Sequence, residues 1–157
     1  METATLVFVF AFGAIIGSFL NVCIARLPDG RSIVRPPSHC PKCQSFLAWY
    51  DNVPILSYLV LAGRCRTCRV HISAIYPVVE VLTGALAVAI FLRLGPTLAF
   101  AGYFAFAAAL VVITFIDLDH QLIPDVISLP GIVVGLGFSL VSPLVTPIDA
   151  GLGVLAG

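Results

Sequence analysis

The chain has 157 residues, of which 60% are hydrophobic and 10% charged, with no net formal charge. A soluble domain carries about 25% charged residues, so a water-exposed globule is excluded and a polytopic membrane protein is indicated. Seven of the eight basic residues fall between Arg26 and Arg69, and only Arg93 lies outside; with an apolar remainder this gives no platform for nucleic acid, and it marks a cytoplasmic loop by the positive-inside bias.

The first apolar run, 4–24, is long enough to cross about 30 Å of hydrocarbon. Glu2 is its only early charge, and no small-residue cleavage site precedes Arg26. It therefore reads as a retained span and not a secretory signal. Gly13 and Gly17 stand at GxxxG spacing, which permits close helix approach. Arg26-Leu-Pro-Asp-Gly30 ends the helix, because Pro cannot continue it and Asp-Gly favours a turn. The loop 26–73 is rich in Pro, Arg and Cys and shows no long strand or helix. An apolar run inside it, 55–61, is too short to span; it lies on the membrane surface or packs under a metal site. Further spans are expected at 75–94, containing Glu80, at 97–116 and at 126–141. Pro143 and Pro147 break the chain, and a last apolar segment starts near Asp149 and runs to Gly157. About 20 residues are needed to span, so the chain is expected to stop inside a helix, as a piece of a longer protein would.

The expected fold is an all-α polytopic membrane protein. It has about four transmembrane helices plus the start of a fifth, and a small zinc-bound cytoplasmic loop module. Three segments follow: a first transmembrane helix (1–25), the loop module (26–73) and the remaining transmembrane helices (74–157). With the basic loop cytoplasmic, the N-terminus is outside, and residues 117–125 return to the same face as the loop.

Two CxxC units, Cys40-Pro-Lys-Cys43 and Cys65-Arg-Thr-Cys68, occupy the polar loop. Four thiols at this spacing match a structural zinc site, and the metal would replace a core that so short a segment cannot build. Disulfides are disfavoured on a cytoplasmic face; a redox CxxC is the other reading. Cys23 reads as a small buried apolar residue. His39 and His71 flank the pairs but are not needed by a four-ligand site.

The segment Asp117-Leu-Asp119-His120-Gln-Leu-Ile-Pro124-Asp125 gathers three carboxylates at a membrane boundary. Acids within a span are costly and are functional candidates by default. For Asp117 the bland reading is a polar boundary marker, for Asp119 and His120 a solvated loop, and for Asp125 an N-cap. Glu80 is either functional or a packing residue that pairs with a Tyr or a backbone group. No GxSxG, Walker loop or HExxH is present, so serine hydrolase, nucleotide and zinc-protease chemistry have no support.

Several stretches resemble bacterial type IV prepilin leader peptidases, in the right order along essentially the whole chain. They are Gly17-Ser-Phe-Leu-Asn21-Val22 with Arg26-Leu-Pro28, Trp49-Tyr-Asp51-Asn52-Val-Pro54, Gly63-Arg64-Cys65, Tyr76-Pro77-Val-Val-Glu80, and Asp117 with Leu122-Ile-Pro124-Asp125. The resemblance implies a membrane aspartic endopeptidase of the bacterial inner membrane. Its substrates would be prepilins or type II secretion pseudopilins, cut at the cytoplasmic face. Many members then methylate the new N-terminus with S-adenosylmethionine. It also implies that Asp117 is the first catalytic aspartate and that the cysteines form the family's zinc-binding domain.

The family's second catalytic aspartate stands in a GxGD motif, and this chain has none. Asp119 would point about 160° away from Asp117 on a helix, Asp125 is separated by Pro124, and Asp149 falls on the outer side. The partner carboxylate is expected beyond Gly157. The competing readings are a non-catalytic membrane zinc module that docks an assembly partner, and a methyltransferase-only fragment.

Overall fold

A computed structural model of the chain describes residues 2–142 and 144–156, leaving aside the side chain of Trp49. Helix α1 covers Thr3–Arg26 and is followed by a 3-10 turn, Trp49–Asn52, and a five-residue helix α2, Leu56–Val60. Four further helices follow: α3 (Ile75–Leu94), α4 (Leu98–His120), α5 (Asp125–Ser139) and α6 (Pro147–Ala156). The chain divides into two units, Met1–Ala89 and Ile90–Gly157.

Among the described residues, α1, α3 and α4 are long and apolar enough to cross a membrane. The expected fourth span, 126–141, corresponds to α5, which has only 15 residues. At 1.5 Å per residue it covers about 22 Å, short of a 30 Å hydrocarbon layer.

In the first unit, α1 and α3 pack through small residues. A Cβ on Gly13 would stand 2.7 Å from Ala87 Cβ and 2.8 Å from Gly84 Cα. A Cβ on Gly17 would stand 2.8 Å from Glu80 Cα. Only glycine lets the two backbones approach so closely, which is the role the GxxxG spacing suggested. The buried Asn21 adds a polar tie, donating from Nδ2 to the Tyr76 carbonyl at 3.0 Å. These contacts set Gly13, Gly17 and Asn21 level with Gly84, Glu80 and Tyr76.

Helix α1 ends where the sequence predicts. The buried Arg26 then turns its guanidinium onto the loop, donating to the carbonyls of Ser32 (2.9 Å) and Pro36 (2.8 Å). This satisfies a charge near the membrane edge with backbone oxygens.

In the second unit, Thr97 caps α4 by accepting from the Phe100 N–H. Tyr103 and Phe138 join α4 to α5 edge-to-face at 5.5 Å, and the Tyr103 hydroxyl meets Ser142 Oγ at 2.7 Å. Helix α6 opens with a reciprocal cap: Asp149 N–H donates to Thr146 Oγ1, and Thr146 Oγ1 donates to Asp149 Oδ2 at 2.7 Å. Asp149 is thereby given a helix-start role.

Candidate metal centre and carboxylate site

The two CxxC units fold as matching knuckles. In the first, Cys40 N–H donates to the Ser45 carbonyl (3.0 Å) and Gln44 N–H to the Cys40 carbonyl (2.9 Å). In the second, Cys65 N–H donates to Val70 (2.9 Å) and Arg69 N–H to Cys65 (3.0 Å). Each is closed by an antiparallel bridge, His39 to Phe46 and Arg64 to His71. Each places its fifth residue in the left-handed region, Gln44 and Arg69 both at φ 58°. The second knuckle thus repeats the first position for position. A left-handed turn usually carries Gly. Gln and Arg stand there instead, so no glycine in the sequence signalled the repeat.

The knuckles face each other, and all four sulfurs lie within 4.8 Å of one another. Cys40 Sγ is 3.8 Å from Cys68 Sγ, and Cys43 Sγ is 3.9 Å from Cys65 Sγ. A tetrahedral site with metal–sulfur bonds near 2.3 Å requires sulfur separations of about 3.8 Å. The donor set therefore fits a metal ion, and all four thiols are free of disulfides. Hydrogen bonds favour thiolate at two of them. The Ser45 hydroxyl and then its backbone group lower Cys43 to about 6, and the backbone groups of Cys68 and Thr67 lower Cys65. Cys68 gains a backbone bond from Val70 that acts downward, yet desolvation and the neighbouring thiols raise it to about 11. A cation at their centre would supply the charge that holds its cysteine ligands as thiolates. His39 and His71 occupy the bridges and are outside the sulfur cluster.

Asp51, which the sequence offers only as part of the Trp49–Pro54 pattern, has a partner in the structure. Arg66, inside the second CxxC, donates from Nε to both Asp51 oxygens (3.1 and 3.2 Å) and from a terminal nitrogen to Oδ1 (2.6 Å). The same guanidinium lies 5.2 Å from the Tyr50 ring centroid. The pair ties the 3-10 turn to the second knuckle, and its hydrogen bonds raise the Arg66 pKa further. Gly63 begins the approach to that knuckle at φ +65°, and a Cβ there would meet the Tyr58 hydroxyl at 2.8 Å. Conformation and space both demand glycine.

Glu80 is buried, and its Oε2 accepts the Ile55 backbone N–H at 2.7 Å. The pairing with a backbone group expected of a packing residue is thus present. A cavity of about 760 Å³ lies beside it, lined by Phe19 and Val22 of α1, by His39 and His71 of the knuckles, and by Tyr58 and Tyr76.

In the second unit, Asp117, Asp119 and His120 all lie on α4 and are exposed. The helix runs past the expected end at 116 because Gln121 adopts the left-handed conformation (φ 52°) and closes it, donating its N–H to the Asp117 carbonyl at 2.9 Å. Asp119 and His120 are therefore helical, not loop residues. Asp125 is the first residue of α5, and Pro124 stands at the cap position expected for it. Among the described residues, the cysteine cluster is the only convergent group of three or more potential metal ligands, so the acids of 117–125 form no such group.

A family described as Bacterial Peptidase A24 N-terminal domain matches residues 11–94, and one described as Type IV leader peptidase family matches residues 104–157. The chain belongs to the type IV leader peptidase family. It is 45% identical over 151 residues to the "Prepilin leader peptidase/N-methyltransferase" of Myxococcus xanthus, covering 96% of this chain and 45% of the relative. The proteins of the same name from Aeromonas hydrophila and Klebsiella pneumoniae are 40% and 38% identical, with 95% and 96% of this chain and 60% and 68% of each relative covered. The chain spans about half the length of the first of these relatives. No solved structure matches. The family and the apolar helices together indicate an inner-membrane protein.

Proposed function

We propose that this chain supplies the first half of a prepilin leader peptidase, which cuts leader peptides from type IV prepilins or type II secretion pseudopilins by an aspartic mechanism. The observation that carries this is the pair of family matches, residues 11–94 across the cysteine loop and residues 104–157 including Asp117. Asp117 is the proposed first catalytic aspartate. It lies on the last turn of a membrane-length helix, exposed, where water and a peptide can reach it. Two carboxylates sharing one proton hold and activate a water for amide attack, because like charge pushes their pKa values apart. On this reading the partner carboxylate is not among residues 1–157.

We further propose that the metal is zinc, held by Cys40, Cys43, Cys65 and Cys68 in a structural role. The sulfur spacing supports a tetrahedral site with no open position for chemistry. The proposed topology places residues 26–73 and Asp117 on the cytoplasmic face, with the N-terminus outside and α5 as a short fourth span; the cluster of basic residues supports it. The name shared by the relatives supports a second activity, N-methylation of the new terminus with S-adenosylmethionine. The 760 Å³ cavity is of a size for such a ligand, and no residue is assigned to it.

The test is incubation of the full-length gene product, in detergent, with a prepilin and labelled S-adenosylmethionine. Release of the leader with label on the shortened product is expected. Release without label leaves the peptidase and removes the transferase. Absence of leader release from a folded, zinc-loaded protein defeats the proposal and favours a non-catalytic zinc module.

A further inference from the structure

The loop between α1 and α3 carries an apolar edge that is exposed among the described residues. Leu56, Leu59 and Val60 of α2 are 61, 67 and 79% exposed. Their spacing puts all three on one side of the short helix. The other side is occupied. Ser57, Tyr58 and Leu61 line the cavity, and the Tyr58 hydroxyl donates to the Ile72 carbonyl. No charged residue stands between Asp51 and Arg64.

The level of this edge can be read from Glu80. Its carboxylate holds the N–H of Ile55, the residue that begins α2. Glu80 is five positions into α3, about 7 Å along the axis, and it faces Gly17, nine positions before the end of α1. A glutamate leans back toward its helix N-terminus, which returns a few Å. The start of α2 therefore lies level with the first turns of α3, within the length of the spans, and not above them in the cytoplasm. Exposed Ile75, Tyr76 and Val78 of α3 are at that level (43, 43 and 53%).

Irregular backbone at membrane depth is tolerated only where its polar groups are satisfied by protein. Ile55 meets that requirement. It has φ 63°, a conformation costly for a β-branched residue, and its N–H is bonded by a buried carboxylate.

We propose that residues 54–60 dip into the membrane interface, with Leu56, Leu59 and Val60 in contact with lipid acyl chains, and that Glu80 holds the dip in place. The loop module is then fastened to the bilayer at a third point besides α1 and α3. The occupant is lipid because the edge is level with the first turns of α3 and is uncharged, while the basic residues Arg64, Arg66 and Arg69 follow it directly in the chain. Short apolar faces seat about 5–10 Å into this boundary, and basic neighbours favour anionic lipid. The inference rests on the membrane reading of α1 and α3.

The experiment uses the full-length protein in phosphatidylcholine–phosphatidylglycerol vesicles, with lipids brominated near the glycerol end of the acyl chains. Trp49 is the only tryptophan of this chain, so a second one added to it is read by difference. Leu59→Trp and Val60→Trp are the reporters; both side chains are exposed, so the fold does not depend on them, and either suffices if the other fails to fold. Val78→Trp is the control within a span, and Val34→Trp, 77% exposed in the loop, is the control outside. The expected result is bromine quenching of the reporters at least half that of Val78→Trp, with a blue-shifted emission, while Val34→Trp is not quenched. Reporters that behave like Val34→Trp, with Val78→Trp quenched, overturn the proposal and leave the edge to a protein partner. Loss of quenching at Val78→Trp as well would instead overturn the membrane reading.

Discussion

Replacing Gly17 with alanine should destabilise the protein, although alanine normally strengthens a helix. The added Cβ would stand 2.8 Å from Glu80 Cα and 3.1 Å from Thr83 Cβ. Carbon atoms in contact prefer about 3.5–4.0 Å, and the nearest obstacle is backbone, which cannot rotate aside. The helices must part by roughly 1 Å, and such overpacking costs about 1–3 kcal/mol. The same movement draws Glu80 away from the Ile55 N–H, now 2.7 Å distant, toward a separation where the bond is lost. Gly131→Ala is the matched control: among the described residues nothing lies within 4 Å of its Cβ position in α5, so it should gain up to about 1 kcal/mol from helix propensity. Unfolding by denaturing detergent in mixed micelles, followed by circular dichroism, gives both values. If Gly17→Ala were as stabilising as Gly131→Ala, the close approach of α1 and α3 would be wrong.

Other outcomes follow from the same geometry. Cys40→Ser with Cys65→Ser should abolish bound zinc, because it removes a ligand from each knuckle, and elemental analysis of the purified protein checks it; unchanged zinc content would refute the four-cysteine site. Glu80→Leu should cost about 1–3 kcal/mol by leaving the Ile55 donor unpaired, whereas Glu80→Gln keeps an acceptor and should cost less; equal losses in thermal unfolding would mean that the carboxylate does not hold that N–H. Asp51→Asn should lower stability only modestly, because Arg66 is 52% exposed and water screens the pair even though the Asp51 side chain is only 10% exposed; a loss as large as that of Glu80→Leu would show that the pair organises more of the loop than its contacts indicate.

Much of this was legible in the residues. Apolar runs long enough to span gave both ends of α1 and α3 and the start of α4 within about two residues of those observed, because length and hydrophobicity alone decide such helices in a bilayer. Two CxxC units brought four thiols together, since a metal site needs only spacing and a turn. The GxxxG of α1 announced its packing but not its partner. What stayed hidden depended on contacts between distant residues. No local pattern told that Glu80 would hold Ile55, or that Asp51 would grip Arg66. The α4 terminus was misplaced by four residues because Gln121, not Gly, makes the left-handed turn, and no Gly or Pro marks the stop before Pro124. The apolar run of the expected fourth span continues to Val141, whereas helix α5 itself ends at Ser139.

On the proposed reading Asp117 does chemistry and Asp119 does not. Both lie exposed on the same last stretch of α4, two positions apart and so about 160° around the helix. The decisive measurement is the rate of leader cleavage by the full-length protein carrying Asp117→Asn or Asp119→Asn. Asparagine keeps the size but can neither share a proton nor activate water. The account predicts a loss of at least about 10²–10⁴-fold for Asp117→Asn and a change of only a few fold for Asp119→Asn, with zinc retained in both. Full cleavage by Asp117→Asn, or equal loss in the two, would contradict it.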